Sequence, residues 1–65
     1  MVAQNIANYL KDNGIKGTWL AKKLNIPKQT LYTILKGRAE LKADMYIQIC
    51  QILRVNPDIF ADKEE

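Results

Sequence analysis

The 65-residue chain contains no histidine and no serine, and its one cysteine, Cys50, stands in an apolar stretch. Serine and cysteine triads, CxxC redox pairs and the usual zinc ligand sets all need residues that are missing. A lone cysteine on an apolar helix reads as a small buried hydrophobe. It allows no disulfide within the chain, which suits a reducing cytosol, and no signal peptide or long apolar span points elsewhere, so a cytoplasmic location is expected. The few carboxylates are scattered and suggest no acid–base pair. No catalytic residue, cofactor, metal site or small-molecule ligand is expected, and the chain reads as a non-enzyme.

What is present argues for a folded binding domain. Apolar residues make up 48% of the chain and charged residues 26%, a balance that disordered segments do not show. A chain of this size buries only about 60% of its unfolded surface, so residues 1–65 have room for one domain with a compact core. Net charge is +3, but its distribution is uneven. Residues 16–42 carry Lys16, Lys22, Lys23, Lys28, Lys36, Arg38 and Lys42 against Glu40 alone. The C-terminal end carries Asp58, Asp62, Glu64 and Glu65 against Lys63, and residues 61–65 read as an acidic, solubilising tail. A basic middle suits a polyanion, although a solvated lysine-rich face has the same composition.

Periodicity predicts helices throughout, and no strand. Residues 2–13 place Val2, Ile6, Tyr9 and Leu10 on one stripe, and Gly14 ends the helix as a left-handed cap with Ile15 packing back. Residues 17–24 direct Leu20, Ala21 and Leu24 inward. Asn25, tolerant of positive φ, interrupts them. Pro27 opens a third helix, which Gly37 closes after Lys36, and residues 38–42 form a loop. A fourth helix over residues 43–54 is apolar around more than half its circumference, with Ile49 and Ile52 facing the core, Ala43, Ile47 and Cys50 on the other edge, and Met45 left over for a possible dimer seam. Asn56, Pro57 and Asp58 read as a cap, a first-position proline and an acidic first turn, so a short fifth helix returns Ile59 and Phe60 to the core.

The stretch 17–36 has the spacings of a helix-turn-helix unit. Small Ala21 lets two helices cross closely, Asn25 lets the chain reverse, and Ile26, Leu31 and Ile34 fix the second helix to the body. At about 100° per residue, Leu31, Ile34 and Leu35 share one face, and Gln29, Tyr32, Thr33 and Lys36 share the other. Lys28 and Gln29 stand at the helix N-terminus, where Lys can donate to guanine and Gln can pair with adenine; they are the expected base readers. Thr33 and Tyr32 suit a thymine methyl or a phosphate, and Lys36 and Arg38 suit the phosphate backbone.

The run G-T-W-L-A-K-K-L-N-I-P-K-Q-T-L-Y-T-I-L-K-G, with the helix D-M-Y-I-Q-I-C-Q-I-L and the closing V-N-P-D-I-F, resembles the lambda-repressor and Cro-like family of helix-turn-helix regulators from Ile6 to Phe60. The resemblance implies an all-α, compact five-helix lambda-repressor-like domain that binds a double-stranded DNA operator, commonly as a homodimer. It points to Lys28, Gln29, Tyr32, Thr33 and Lys36 as the DNA-facing set. Two positions depart from the pattern. Gly17 stands where the family often has a Gln that grips a phosphate and braces the recognition helix, which leaves the N–H groups of Gly17 and Thr18 as the expected phosphate donors. Asn25 stands at a turn position that is often Gly.

The expected function is a sequence-specific transcriptional regulator of the phage or bacterial repressor type, reading the major groove with residues 27–36. The alternative is a protein-interaction module on the same fold, using Trp19, Tyr32 and the fourth helix. Trp19 alone is accounted for by packing on the domain's own flank, with Lys16 or Lys23 across its ring. A membrane-surface role is not expected, because the apolar faces are needed for the core.

Overall fold

The computed structural model describes residues 2–61. Four α-helices follow one another: α1 (Val2–Asp12), α2 (Gly17–Leu24), α3 (Lys28–Leu35) and α4 (Ala43–Leu53). A single 3-10 turn, Pro57–Phe60, follows α4, and there is no strand among the described residues. Apart from Ala61, the acidic tail lies outside the described residues.

All four helices end in the same way, and that ending sets the topology. In each, a residue one or two positions past the helix takes the left-handed conformation: Gly14 (φ 66°), Asn25 (φ 61°), Gly37 (φ 78°) and Arg54 (φ 58°). Its N–H donates to a carbonyl of the last turn, as from Asn25 to Lys22 at 3.1 Å and from Arg54 to Gln51 at 3.2 Å. The next N–H reaches the carbonyl one residue further back: Ile15 to Leu10 (2.8 Å), Ile26 to Ala21 (3.0 Å), Arg38 to Thr33 (3.0 Å) and Val55 to Cys50 (3.0 Å). This is the Schellman closure, which satisfies carbonyls that a helix end otherwise leaves orphaned. In α1, α2 and α4 the closing pair is apolar, with Leu10, Ala21 and Cys50 buried and Ile15, Ile26 and Val55 packed on the core. In α3 the pair is Thr33 and Arg38, both exposed.

The closures fold α1, α2 and α4 around one cluster containing Ile6, Leu10, Leu20, Ala21, Leu31, Leu35, Ile49, Cys50 and Phe60. Ala21 is buried where α2 crosses α3, as its small size requires. On α4 the core faces Ile49 and Cys50, while Met45 and Ile52 pack beside it. Ile47 is 48% exposed. The expected edge of Ala43, Ile47 and Cys50 is therefore split: Cys50 is core, and Ala43 and Ile47 face solvent. Met45, expected to be left over, is half-buried against the core.

The expected fifth helix is one 3-10 turn, so the described chain has four α-helices. The reason is length. Asn56 accepts the Asp58 N–H at 2.9 Å and so fixes the start, and Ala61 is already extended. Between them only i→i−3 bonds close, from Ile59 to Asn56 and from Ala61 to Asp58. Phe60 enters the core, but Ile59 points away and is 51% exposed, contrary to the expectation for that residue. The Phe60 ring meets Tyr9 edge-on at 5.4 Å and Tyr46 at 6.4 Å. Its carbonyl accepts the Asn5 amide at 2.9 Å, and the Tyr46 hydroxyl donates to the Pro57 carbonyl. The turn is thus latched to α1 and α4.

Burial pushes the Cys50 thiol above its ordinary pKa, partly offset by a hydrogen bond with Tyr46. The Tyr46 hydroxyl is raised too, first by burial and then by the negative charge that Cys50 would carry as a thiolate and that Asp58 carries. The buried neutral thiol fits the reading of Cys50 as a hydrophobe.

Candidate nucleic-acid interface

Leu31, Ile34 and Leu35 bury one face of α3, and every other residue of the helix, Lys28, Gln29, Thr30, Tyr32 and Thr33, is exposed. Three residues set the course of the elbow before it. Asn25 reverses the chain (φ 61°, ψ 41°), Ile26 packs on the core, and Pro27 at φ −62° and ψ 145° aims the chain into α3. The Pro27 carbonyl accepts the first helical bond, from Leu31 at 3.2 Å. Neither Lys16 before α2 nor Pro27 before α3 provides a side-chain cap, and neither first turn carries an acid. Both helices therefore present free N–H groups and the positive end of their dipole, an arrangement that favours anions.

The sequence-predicted residues fall into neighbouring depressions. Gln29, Tyr32, Thr33, Lys36 and Arg38 line one shallow groove along the exposed side and open end of α3. Thr18 and Lys28 line a second, at the elbow, together with Lys22, Asn25 and Pro27. Lys28 and Gln29, adjacent in sequence, thus open onto different depressions. Lys22 lies outside the set expected from the sequence; the signal for it is its spacing of four residues from Thr18, which puts both on one face of α2.

Two residues are more constrained than the sequence indicated. The Thr33 hydroxyl donates to the Gln29 carbonyl at 2.8 Å, which leaves the methyl and the oxygen lone pairs for a ligand. Gly17 is half-buried against Tyr32: a Cβ built on Gly17 would lie 2.6 Å from Tyr32 Cε1 and 3.0 Å from its hydroxyl oxygen. Tyr32 remains 39% exposed. Of the two expected phosphate N–H donors, Thr18 is exposed and Gly17 lies by this ring. Trp19 has Lys23 Nζ 5.7 Å from its ring centre, one of the two lysine contacts expected for it, but stays 43% exposed.

Among the described residues, no three His, Cys, Asp or Glu side chains are grouped to hold a metal ion. No described helix is long and apolar enough to cross a membrane. A family model for Cro/C1-type HTH DNA-binding domains matches residues 5–62. Comparison with curated proteins and with solved structures gives no match.

Proposed function

Because the chain belongs to the family of Cro/C1-type helix-turn-helix DNA-binding domains, we propose that it is a sequence-specific transcriptional regulator of the repressor type that lays α3 in the major groove. The observation that carries this is the division of α3: one face wholly buried, the other exposed and free of acidic side chains. Lys28, Gln29 and Thr33 read base edges, and Lys36, Arg38 and the Thr18 N–H grip phosphates. Repression follows from occupying DNA that polymerase needs. The regulator acts as a dimer on half-sites about one helical turn, roughly 34 Å, apart. Ile47 and Ile59, exposed apolar residues outside the α2–α3 unit, are available to a second copy.

The interaction-module alternative is not favoured by the family, and Trp19, on which it leaned, carries Lys23 across its ring.

Selection from random duplex, followed by anisotropy titration of the selected site, tests the proposal. With Lys36 and Arg38 of two copies on phosphate, a fourfold rise in salt weakens binding about a hundredfold. K28A or Q29A changes base preference at one position at a cost of about 1–3 kcal/mol, and K36A weakens all sequences alike. Absence of salt-sensitive duplex binding by the unaltered chain refutes it.

A further inference from the structure

We propose that Gly17 and Tyr32 form a size-matched pair in which Tyr32 is a positioning residue, bracing α3 on the first turn of α2 rather than reading bases. The inference rests on the DNA-binding reading above.

Three observations carry it. Gly17 is not among the glycines with positive φ, so its backbone conformation is open to any residue. Helix propensity favours alanine over glycine at such a site. What alanine lacks is space, because its Cβ would fall 2.6 Å from Cε1 of Tyr32, closer than real Cβ contacts come, and 3.1 Å from Cζ, tighter than most of them. The obstacle is a side chain from the next helix, so a methyl at 17 displaces the ring and leaves the local backbone in place.

The ring also lies where displacement matters. Tyr32 shares one depression with Gly17 on α2, Ala7 and Leu10 on α1, and Leu35 and Lys36 on α3. It shares another with Gln29, Thr33 and Arg38. Tyr32 therefore joins the groove proposed for DNA to the three-helix junction behind it. With the ring against Gly17, the spacing between the start of α2 and Lys36 is fixed before DNA arrives. A brace of this kind acts by preorganisation: it adds no contact to the ligand but removes the cost of ordering those that do.

A double-mutant cycle on the selected duplex tests this, using the unaltered chain, G17A, Y32A, G17A/Y32A and Y32F, with site selection repeated for Y32A. G17A and Y32A each weaken binding about tenfold, and G17A adds nothing in the Y32A background, where its methyl meets no ring. Y32F binds within about threefold of the unaltered chain, and Y32A keeps the same consensus. A G17A effect that persists in full without Tyr32, a changed base in the Y32A consensus, or a Y32F as weak as Y32A overturns the proposal.

A readout without DNA separates this failure from failure of the DNA reading. The Gly17 Hα resonances are shifted by the ring in the unaltered chain and Y32F, and return to ordinary values in Y32A. An ordinary Gly17 resonance in the unaltered chain overturns the pairing whether or not any duplex binds.

Discussion

Arg54 is an arginine in a position built for glycine, and replacing it measures what the helix closures contribute. It ends α4 at φ 58° and ψ 46°, where an L side chain crowds its own backbone at a cost of roughly 1–2 kcal/mol. Glycine removes that crowding but adds freedom to the unfolded chain, worth about 0.4–1 kcal/mol in the opposite direction. The balance favours R54G by about 0.5–1 kcal/mol, and in a domain of this length 1 kcal/mol moves the melting temperature by about 4–8 °C. Thermal unfolding followed by circular dichroism should therefore show R54G melting about 2–8 °C higher than the unaltered chain. R54A provides the control, because it deletes the guanidinium and keeps the left-handed Cβ, so it should melt close to the unaltered chain. N25G should gain less, since asparagine tolerates this conformation better than arginine. An R54G that melts at or below the unaltered chain, or an R54A that rises as far, refutes the assignment of strain to this backbone position.

Two further outcomes follow from the core. F60A removes the ring that touches Tyr9 and Tyr46, a loss of about 3–5 kcal/mol, in a chain whose whole stability at about 0.05–0.15 kcal/mol per residue is of similar size. Urea titration should find it largely unfolded in water; a loss below about 1 kcal/mol would show that the latch contributes little. Cys50 and Tyr46 both have folded pKa values raised above their unfolded ones. Their contribution is complete below the ordinary thiol value of about 8.5 and is lost as pH rises toward the folded value. Stability should fall as pH rises above about 8.5, through Cys50 first and through Tyr46 only above about 10, more gently in C50A, and a thiol reagent at pH 8 should label Cys50 readily only after denaturation. Stability that rises over that interval contradicts the assignment.

What was legible in the sequence was whatever a single residue type enforces. Asn25 and Pro27 marked the elbow, Gly14 and Gly37 marked two helix ends, and the three apolar positions of α3 gave its orientation. Arg54 gave no such signal, because arginine is not selected for positive φ; the hint lay in Val55, placed to pair back on Cys50. The phase of α4 was ambiguous for a different reason. A helix apolar around most of its surface has no unique inward side, so the sequence assigns Ile47 and Cys50 to one edge although the core takes only Cys50. Asn56-Pro57-Asp58 announced a helix start but not its length, and length decides whether Ile59 turns in or out. The approach of Tyr32 to Gly17 depends on how α2 crosses α3, a relation between residues fifteen apart that no local spacing records.

The closing pair of α3 is polar while the other three are apolar, and this has a consequence for how such a chain diverges. Leu10 with Ile15, Ala21 with Ile26, and Cys50 with Val55 each tie a helix end to the core, so exchange at those positions is penalised in every environment. Thr33 and Arg38 close their helix through backbone atoms alone and leave both side chains outside. Drift at Gln29, Thr33, Lys36 and Arg38 therefore costs the fold little. Descendants of this sequence can acquire new binding preferences through those four positions while everything that keeps the chain folded is inherited unchanged.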